Sequence, residues 1–362
     1  MRPLSKARNF ARALVTRRLD FEFEYLPYRL YDVTSEKLIT LAHTHLNCVR
    51  PAPGAPWYPV QMQIEPSTSC TLKCPLCPVG SNSTDKSQGA MPLEMFTSLM
   101  DDVGRHATMA VFWMWGEPFT HRRLPEMVAC AKKMNLGTVT STNGQHLQTR
   151  AEAEELVASG LDHIFVAMDG ATQETYGRYR VGGEIDKILN CIDLLCRAKK
   201  SLGSSSPGIN VRTVVNRHNE HELGEIEAIA RRLGANTVSR KRVASLDYRE
   251  TDSDRAFNPE EKRYHRQKVD QSRSFKCRRP WNRMTVCSDG TVLSCEFDYE
   301  RIAPFGQGGN GISFRESWRS EAASKFRRNF IRDMNAYPFC AECPYGGRSP
   351  SECTVDVKRL SA

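Results

Sequence analysis

Three cysteines, Cys70, Cys74 and Cys77, fall within eight residues, directly after a short segment of alternating apolar residues. Thiolates held this close on one loop can bind three corners of an iron–sulfur cube, which leaves the fourth iron open to another ligand. A structural zinc site and an ordinary electron-transfer cluster each require four protein ligands. The spacing therefore predicts a cluster that binds a substrate or cosubstrate, with a zinc site or a chance grouping as the alternatives.

The cysteine content indicates reduced thiols rather than a disulfide scaffold. The chain has 13 cysteines among 362 residues, about 4%, whereas disulfide scaffolds contain more than roughly 8–10%. Residues 1–19 are basic but lack the apolar block of a secretory signal. We therefore expect a cytoplasmic protein, in which tight groups of reduced cysteines most often hold metal.

Composition also argues against two classes of partner. The longest strongly apolar run, residues 109–115, is too short for a membrane-spanning helix, which needs about 20 residues. The formal charge is +9, but no motif interleaves basic residues with stacking aromatics, so we expect no nucleic-acid binding. The basic segment at 1–19 predicts a surface helix; a membrane-surface helix or a mitochondrial address has a similar composition.

Apolar residues follow a regular rhythm from residue 58 onward. Short apolar runs predict strands, and segments with apolar residues at i, i+3, i+4 and i+7 predict helices between them. The predicted strands lie at 60–64, 110–115, 137–142, 164–168, 209–215 and 237–243. Alternating strands and helices imply a parallel sheet with helices outside it. We expect an α/β fold, a partial (β/α)6 TIM-like barrel with its chemistry at the carboxyl ends of the strands.

The pattern changes beyond residue 245. Two apolar segments, at 284–287 and 291–295, flank Ser288-Asp289-Gly290, which predicts a β-hairpin. A cysteine-rich stretch follows this hairpin. We expect an N-terminal extension at 1–58, the barrel at 59–245, a linker with a helix at 246–274, a small cysteine-rich β-hairpin and helix domain at 275–353 and a tail at 354–362.

The CxxxCxxC spacing after a first barrel strand resembles the hallmark of the radical S-adenosylmethionine (SAM) superfamily. The resemblance implies a [4Fe–4S] cluster on Cys70, Cys74 and Cys77, whose open iron binds the amino and carboxylate groups of SAM. One electron from that cluster cleaves SAM to a 5′-deoxyadenosyl radical, which abstracts hydrogen from a substrate. The family often has an aromatic residue near the adenine before its last cysteine; here Leu76 is expected to cover the adenine edge.

Other predicted strand ends agree with this resemblance. The tripeptide after the second strand is similar to the family's GGEP motif, with Trp115 in place of its first glycine, and implies a carboxylate near the SAM amino group. The segment at 141–144 resembles the family's TNG segment, and an aspartate and arginines follow the fourth strand. Taken singly, each would be explained by a turn or a surface ion pair. The residues expected to bind the cofactor are Leu76, Gly116, Glu117, Pro118, Ser141, Asn143, Asp169 and Arg180.

The C-terminal cysteines resemble the SPASM/twitch extension of radical SAM enzymes, which begins with the spacing CX9–15GX4C. Cys277, Gly290 and Cys295 follow this spacing, and Cys340 and Cys343 form a CxxC further on. The resemblance implies an auxiliary [4Fe–4S] cluster on these four cysteines, in the shorter twitch form. A structural zinc site is the alternative.

An auxiliary cluster can accept an electron from a substrate radical, which makes the reaction a net oxidation. Loss of a proton requires a base, and Glu296 and Asp298 lie close to Cys295 in sequence. Only about 58 residues precede the barrel, without a clean winged-helix pattern for peptide recognition. Together with the resemblance to twitch-bearing dehydrogenases, this implies an oxidoreductase that dehydrogenates a small polar molecule, such as a sugar or aminocyclitol, and receives electrons from reduced flavodoxin or a ferredoxin-type protein. A peptide crosslinking, epimerising or maturing enzyme is the first alternative, and a non-catalytic iron–sulfur or zinc protein is the second.

Overall fold

A computed structural model describes residues 3–54, 57–82, 89–243, 252–265, 277–343 and 354–360. In chain order the strands are β1 (Leu19–Phe23), β2 (Leu26–Leu30), β3 (Gln61–Ile64), β4 (Met109–Phe112), β5 (Gly137–Thr142), β6 (His163–Ala167), β7 (Gly208–Val214), β8 (Thr237–Lys241), β9 (Arg283–Val286), β10 (Thr291–Leu293), β11 (Gly306–Gln307) and β12 (Thr354–Arg359). The helices are α1 (Pro3–Thr16), α2 (Ser35–Val49), α3 (Leu93–Leu99), α4 (Leu124–Lys133), α5 (Arg150–Ala158), α6 (Gln173–Tyr179), α7 (Ile185–Ser201), α8 (Leu223–Leu233), α9 (Asp252–Phe257), α10 (Arg279–Asn282), α11 (Phe314–Trp318), α12 (Glu321–Arg332) and α13 (Pro338–Ala341).

The central sheet of the described residues has the order β11-β10-β9-β3-β4-β5-β6-β7-β8-β12. Strands β3 to β8 pair in parallel in sequence order, and they coincide with the six strands predicted from apolar periodicity. Parallel neighbours require crossover connections, and α3 to α8 lie in those connections. The predicted partial barrel, followed by a cysteine-rich domain, is confirmed.

Helices cover one face of this sheet. Strand residues such as Ala110, Phe112 and Ile164 share one buried apolar cluster with the inner side of α7, which includes Ile188 and Leu195. The period of 3.6 residues per turn places these α7 side chains on a single face of the helix. The helices therefore cover the outer face of the sheet. The inner face is left for the active site and for other segments that pack inside the barrel.

The inner face is filled by the N-terminal hairpin of β1 and β2. Its Phe23, Leu26 and Tyr28 form a second apolar cluster with inward-facing strand residues, namely Met109, Val111, Val139 and Phe165. A Cβ atom on Gly137 would lie 2.9 Å from the Tyr28 ring, so the glycine that begins β5 makes room for the hairpin. The segment at 1–58, expected to stand apart, thus contributes part of the barrel interior because its alternating apolar side chains are buried there.

The C-terminal region extends both edges of the sheet. Strand β9 pairs in parallel with β3, and the predicted hairpin continues through β10, which pairs antiparallel with β9. At the other edge, β12 pairs antiparallel with β8, so the expected tail at 354–362 supplies a strand. These pairings bring the cysteine-rich domain next to the strand that precedes the CxxxCxxC loop.

Two remaining expectations concern the basic N-terminal segment and the linker that follows the barrel. The predicted basic helix near the N-terminus is present as α1, and Ala13 on this helix is fully buried. Part of the expected linker at 246–274 lies outside the described residues; the remainder holds α9 and a short turn at Lys262–Tyr264. Among the helices in the described ranges, none has the length and apolar character required to cross a membrane.

Candidate active site

A cavity of about 220 Å³ lies at the carboxyl ends of the parallel strands. All three cysteines of the CxxxCxxC loop line it, together with residues from the end of β5 and from the segments that follow β4, β5 and α6. These segments contribute Trp115, Gly116, Glu117, Ser141, Thr142, Asn143 and Arg180. Barrel topology places catalytic groups at this end of the strands, so the cavity is the candidate active site.

Close backbone packing shapes the cysteine loop. The Cys77 N–H donates to the Cys74 carbonyl over 3.1 Å, and the Lys73 N–H donates to the Val181 carbonyl over 2.9 Å. A Cβ atom on Gly80 would lie 2.2 Å from the Cys74 carbonyl oxygen. Only glycine lets the chain fold back this closely against the loop.

Glu117 ties two strand ends together at the edge of the cavity. Its Oε1 accepts from the Thr142 hydroxyl over 2.9 Å, and its Oε2 accepts from the Asn143 N–H over 2.8 Å. Burial raises the pKa of Glu117 to about 7, although these hydrogen bonds favour the charged form. Asn143 is held in place, and its side-chain amide nitrogen lies 3.7 Å from the Cys70 sulfur.

Asp169 and Arg180 form a buried ion pair beside the same loop. The Asp169 carboxylate also accepts from the Val214 N–H over 2.6 Å, which fixes it against β7. Burial alone would lower the pKa of Arg180, but the Asp169 charge raises it well above its usual value. The Arg180 Nη1 lies 3.6 Å from the Cys74 sulfur, where a positive charge favours a thiolate.

The four C-terminal cysteines line a second cavity, of about 30 Å³. Its other walls are largely aromatic, from Phe297, Phe326, Phe330 and Phe339. Burial raises the pKa of Cys277 to about 11, so binding of a metal there must displace protons. All four predicted ligands line this one site, whose other walls are largely apolar. They are Cys277, Cys295, Cys340 and Cys343.

Both donor sets fit iron–sulfur clusters. Four convergent thiols provide a closed ligand set, whereas three thiols at the edge of the larger cavity leave one cluster position open. The described residues contain no group of three or more His, Cys, Asp or Glu arranged to hold a single metal ion; a cube spreads its ligands more widely than one ion does.

Comparison with known families agrees with the two cysteine sets. A family model described as the radical SAM superfamily matches residues 64–230, and a model of an iron–sulfur cluster-binding domain, SPASM, matches residues 277–344. The chain belongs to the radical SAM superfamily. Its C-terminal part is a SPASM domain, and the predicted cofactors, SAM, a SAM-binding [4Fe–4S] cluster and an auxiliary cluster, are confirmed at the level of these domains.

Individual relatives cover only part of this radical SAM protein. It is 26% identical over 183 residues to the tungsten-containing aldehyde ferredoxin oxidoreductase cofactor-modifying protein of Pyrococcus furiosus, with 49% of each chain covered. It is 28% identical over 182 residues to the PqqA peptide cyclase of Gluconobacter oxydans, covering 50% of this chain and 48% of the relative. The chain thus spans about half the length of the curated relatives it matches.

A solved structure shares the fold over a longer stretch. Streptococcus suis SuiB bound to S-adenosylmethionine matches with a TM-score of 0.57 at 14% identity. The match covers 80% of this chain and 72% of SuiB. At this level of identity the likeness concerns the fold alone.

The predicted SAM-binding residues of this radical SAM protein take different positions. Those that line the cavity are Gly116, Glu117, Ser141, Asn143 and Arg180. Asp169 is paired with Arg180, and Pro118, which is buried, begins a short turn after Glu117. Leu76 differs from expectation, because it is buried in a small apolar cluster with Tyr179, Val243 and Phe257. Leu76 therefore anchors the loop to the core, and the structure does not support its expected place over the adenine.

The two predicted catalytic carboxylates are also separated. Glu296 lines the larger cavity; burial raises its pKa, but the charges of Arg279 and Arg283 overcome this effect and hold the pKa at about 2. Asp298 accepts from the backbone N–H groups of Ile302 and Ala303 over 2.7 and 3.0 Å. These bonds hold Asp298 in a turn of the SPASM domain, and burial raises its pKa to about 6 although the same bonds favour the charged form.

Sequence reasoning missed the floor of the cavity. Glu24, at the tip of the N-terminal hairpin, forms an ion pair with Arg212 of β7 over 3.3 Å. The Arg212 guanidinium also lies 3.4 Å from the centre of the Phe165 ring. Arg283 of β9 donates to the side chains of Gln61 and Gln63. The residues of each pair are distant in sequence, so their contacts could not be predicted. The alternation of side chains along each strand was the one available signal that they point into the barrel.

Proposed function

We propose that this radical SAM enzyme modifies a peptide by abstracting a hydrogen atom from one side chain held in the larger cavity. The observation that carries the proposal is that side chains of the cluster loop and of the SPASM domain, including Arg279, Arg283 and Glu296, line one common space. A peptide substrate is supported by the 28% identity to PqqA peptide cyclase over half of the chain.

The residues around the cavity divide into two groups. When bound and reduced, the cluster and SAM supply a 5′-deoxyadenosyl radical. We assign Glu117 to accept from the SAM amino group and Arg180 to pair with the SAM carboxylate. Glu296 lines the cavity and is paired with Arg279, so we assign it to binding polar groups of the substrate.

Dehydrogenation of a small polar molecule, such as a sugar or aminocyclitol, is the second candidate. It is favoured by the charged lining of the cavity, to which Arg212, Lys241 and Arg242 contribute beside the SPASM arginines. These cations offer hydrogen-bond donors to hydroxyl or anionic groups. In either case the electron donor we expect is a reduced flavodoxin or ferredoxin-type protein.

The first test is reductive cleavage of SAM. The anaerobically reconstituted protein, reduced with dithionite, should form 5′-deoxyadenosine from SAM. Replacement of Cys70, Cys74 or Cys77 by alanine should abolish this product, whereas Cys130→Ala, in α4, should retain it. Absence of 5′-deoxyadenosine from fully loaded wild-type protein would leave only the non-catalytic iron–sulfur reading.

The second test separates the two substrate classes. Pools of short peptides and pools of sugars and aminocyclitols are added in parallel, and 5′-deoxyadenosine formation is measured with mass spectrometry of each pool. The proposal expects stimulation by peptides and a mass change in one of them. Stimulation confined to the sugar or aminocyclitol pools, with loss of two hydrogen atoms, would replace it with the second candidate.

A further inference from the structure

Arg279 joins the two cavities. Among the described residues it is the one side chain that lines both the larger cavity and the cavity of the four SPASM cysteines. Its Nη1 donates to the Cys295 sulfur over 3.0 Å and to the Glu296 carboxylate. One guanidinium thus contacts a predicted ligand of the auxiliary cluster and a carboxylate of the substrate cavity.

The surroundings hold this arrangement in place. Arg279 and Glu296 are 7% exposed each, and the Trp115 indole N–H donates to the Glu296 carbonyl over 2.7 Å. The Trp115 ring also packs against Phe297, with ring centres 5.8 Å apart. The segment after β4, on the SAM-binding side, therefore anchors the backbone that carries Cys295 and Glu296.

A buried cation that donates to a cluster sulfur has a defined electrostatic effect. Reduction adds negative charge to the cluster, and a nearby positive charge stabilises the reduced form, which raises the reduction potential. The negative charge of Glu296 acts in the opposite direction. Both effects are strong because the groups are shielded from water.

We propose that Arg279 is a positioning residue that raises the reduction potential of the auxiliary cluster. Its ion pair with Glu296 makes this potential depend on the charge that is bound in the substrate cavity. Substrate groups that bind beside Glu296 then alter the potential of the cluster through a single guanidinium. This inference concerns the SPASM domain and does not depend on whether the substrate is a peptide.

The test is a potentiometric titration of the anaerobic holoenzyme followed by EPR, without substrate. The signal of the auxiliary cluster is the one that SAM leaves unchanged. Arg279→Met should lower its potential by at least about 59 mV, a tenfold change in a one-electron equilibrium. Arg279→Lys keeps the charge and should shift it less, whereas Glu296→Gln removes the opposing charge and should raise it.

The control is Arg301→Met, which removes one positive charge from an arginine of the same domain that pairs with Asp289. The auxiliary cluster of Arg301→Met should have the same reduction potential as the auxiliary cluster of the wild type. Equal shifts in Arg279→Met and Arg301→Met, or an unchanged potential in Arg279→Met, would overturn the proposal. If Arg279→Met fails to assemble the cluster, opposite shifts in Arg279→Lys and Glu296→Gln support the proposal and shifts of the same sign refute it.

Discussion

Lys37 on α2 is a buried cation whose ammonium contacts a backbone carbonyl. The side chain is 1% exposed, and its ammonium donates to the Ala107 carbonyl. Burial lowers the pKa of Lys37 to about 7, with only a weak opposing effect from the Glu36 charge. Above this pH, Lys37 is therefore neutral in most folded molecules. In the unfolded chain it stays mostly charged up to about pH 10.4.

This difference predicts a pH-dependent contribution to stability. Between about pH 7 and pH 10 the unfolded chain binds a proton that the folded chain does not, so the free energy of unfolding rises with pH by up to about 1.4 kcal/mol per unit. Lys37→Met should remove this contribution and stabilise the protein most near pH 7. Melting temperatures of both proteins across this range check it; a constant difference between them would contradict the pKa shift.

The cysteines expected to bind the SAM-binding cluster could be recognised because they are close together in sequence. Cys70, Cys74 and Cys77 lie on one loop, so their spacing alone indicates their chemistry. The role of Arg279 was not predictable, because its contact with Glu296 depends on how β9 and β10 return towards the barrel. Likewise, Leu76 is next to a ligand, yet packing against Tyr179 directs its side chain into the core.

The hairpin of β1 and β2 shows why one element escaped prediction. Both strands alternate apolar and polar residues, as a half-buried strand does. The two-residue turn between them, Glu24-Tyr25, has positive φ values of 52° and 63°, where Asn-Gly or Gly-Gly is the usual choice. The turn thus lacks the local signal of a hairpin, although all six parallel strands were predicted from their apolar runs.

Glutamate is an unfavourable residue at a position with positive φ, which indicates that its carboxylate is needed there for the contacts it makes. Besides Arg212, it accepts from the Thr354 hydroxyl over 3.0 Å, and its side chain is buried. Glu24→Gln should destabilise the protein by about 2 kcal/mol, because it removes the buried negative charge beside Arg212. Thermal melting under argon measures this loss.

The matched control for this substitution is Glu22→Gln, on an exposed position of the same hairpin. It should leave the melting temperature within the range of surface substitutions, about 0.5 kcal/mol or less. Equal losses in the two variants would show that the ion pair at the hairpin tip contributes nothing specific.

At the scale of the whole molecule, the two cysteine sets predict two separable clusters. Wild-type protein should contain about eight irons per chain, four from each [4Fe–4S] cluster. Cys74→Ala and Cys295→Ala should each lower this number to about four, because their sets lie in different cavities, and Cys196→Ala, on α7, should not change it. Iron and zinc analysis of the reconstituted proteins checks this, and about four irons with one zinc in the wild type would contradict the auxiliary cluster.

The contact between Glu24 and Thr354 joins positions 330 residues apart in the chain. During synthesis, the hairpin leaves the ribosome long before the segment that completes its surroundings. The Glu24 carboxylate at its tip can accept from Thr354 only after β12 has been translated and has paired with β8. The hydrogen bond that completes the partners of the Glu24 carboxylate therefore forms only after nearly the whole chain has been made.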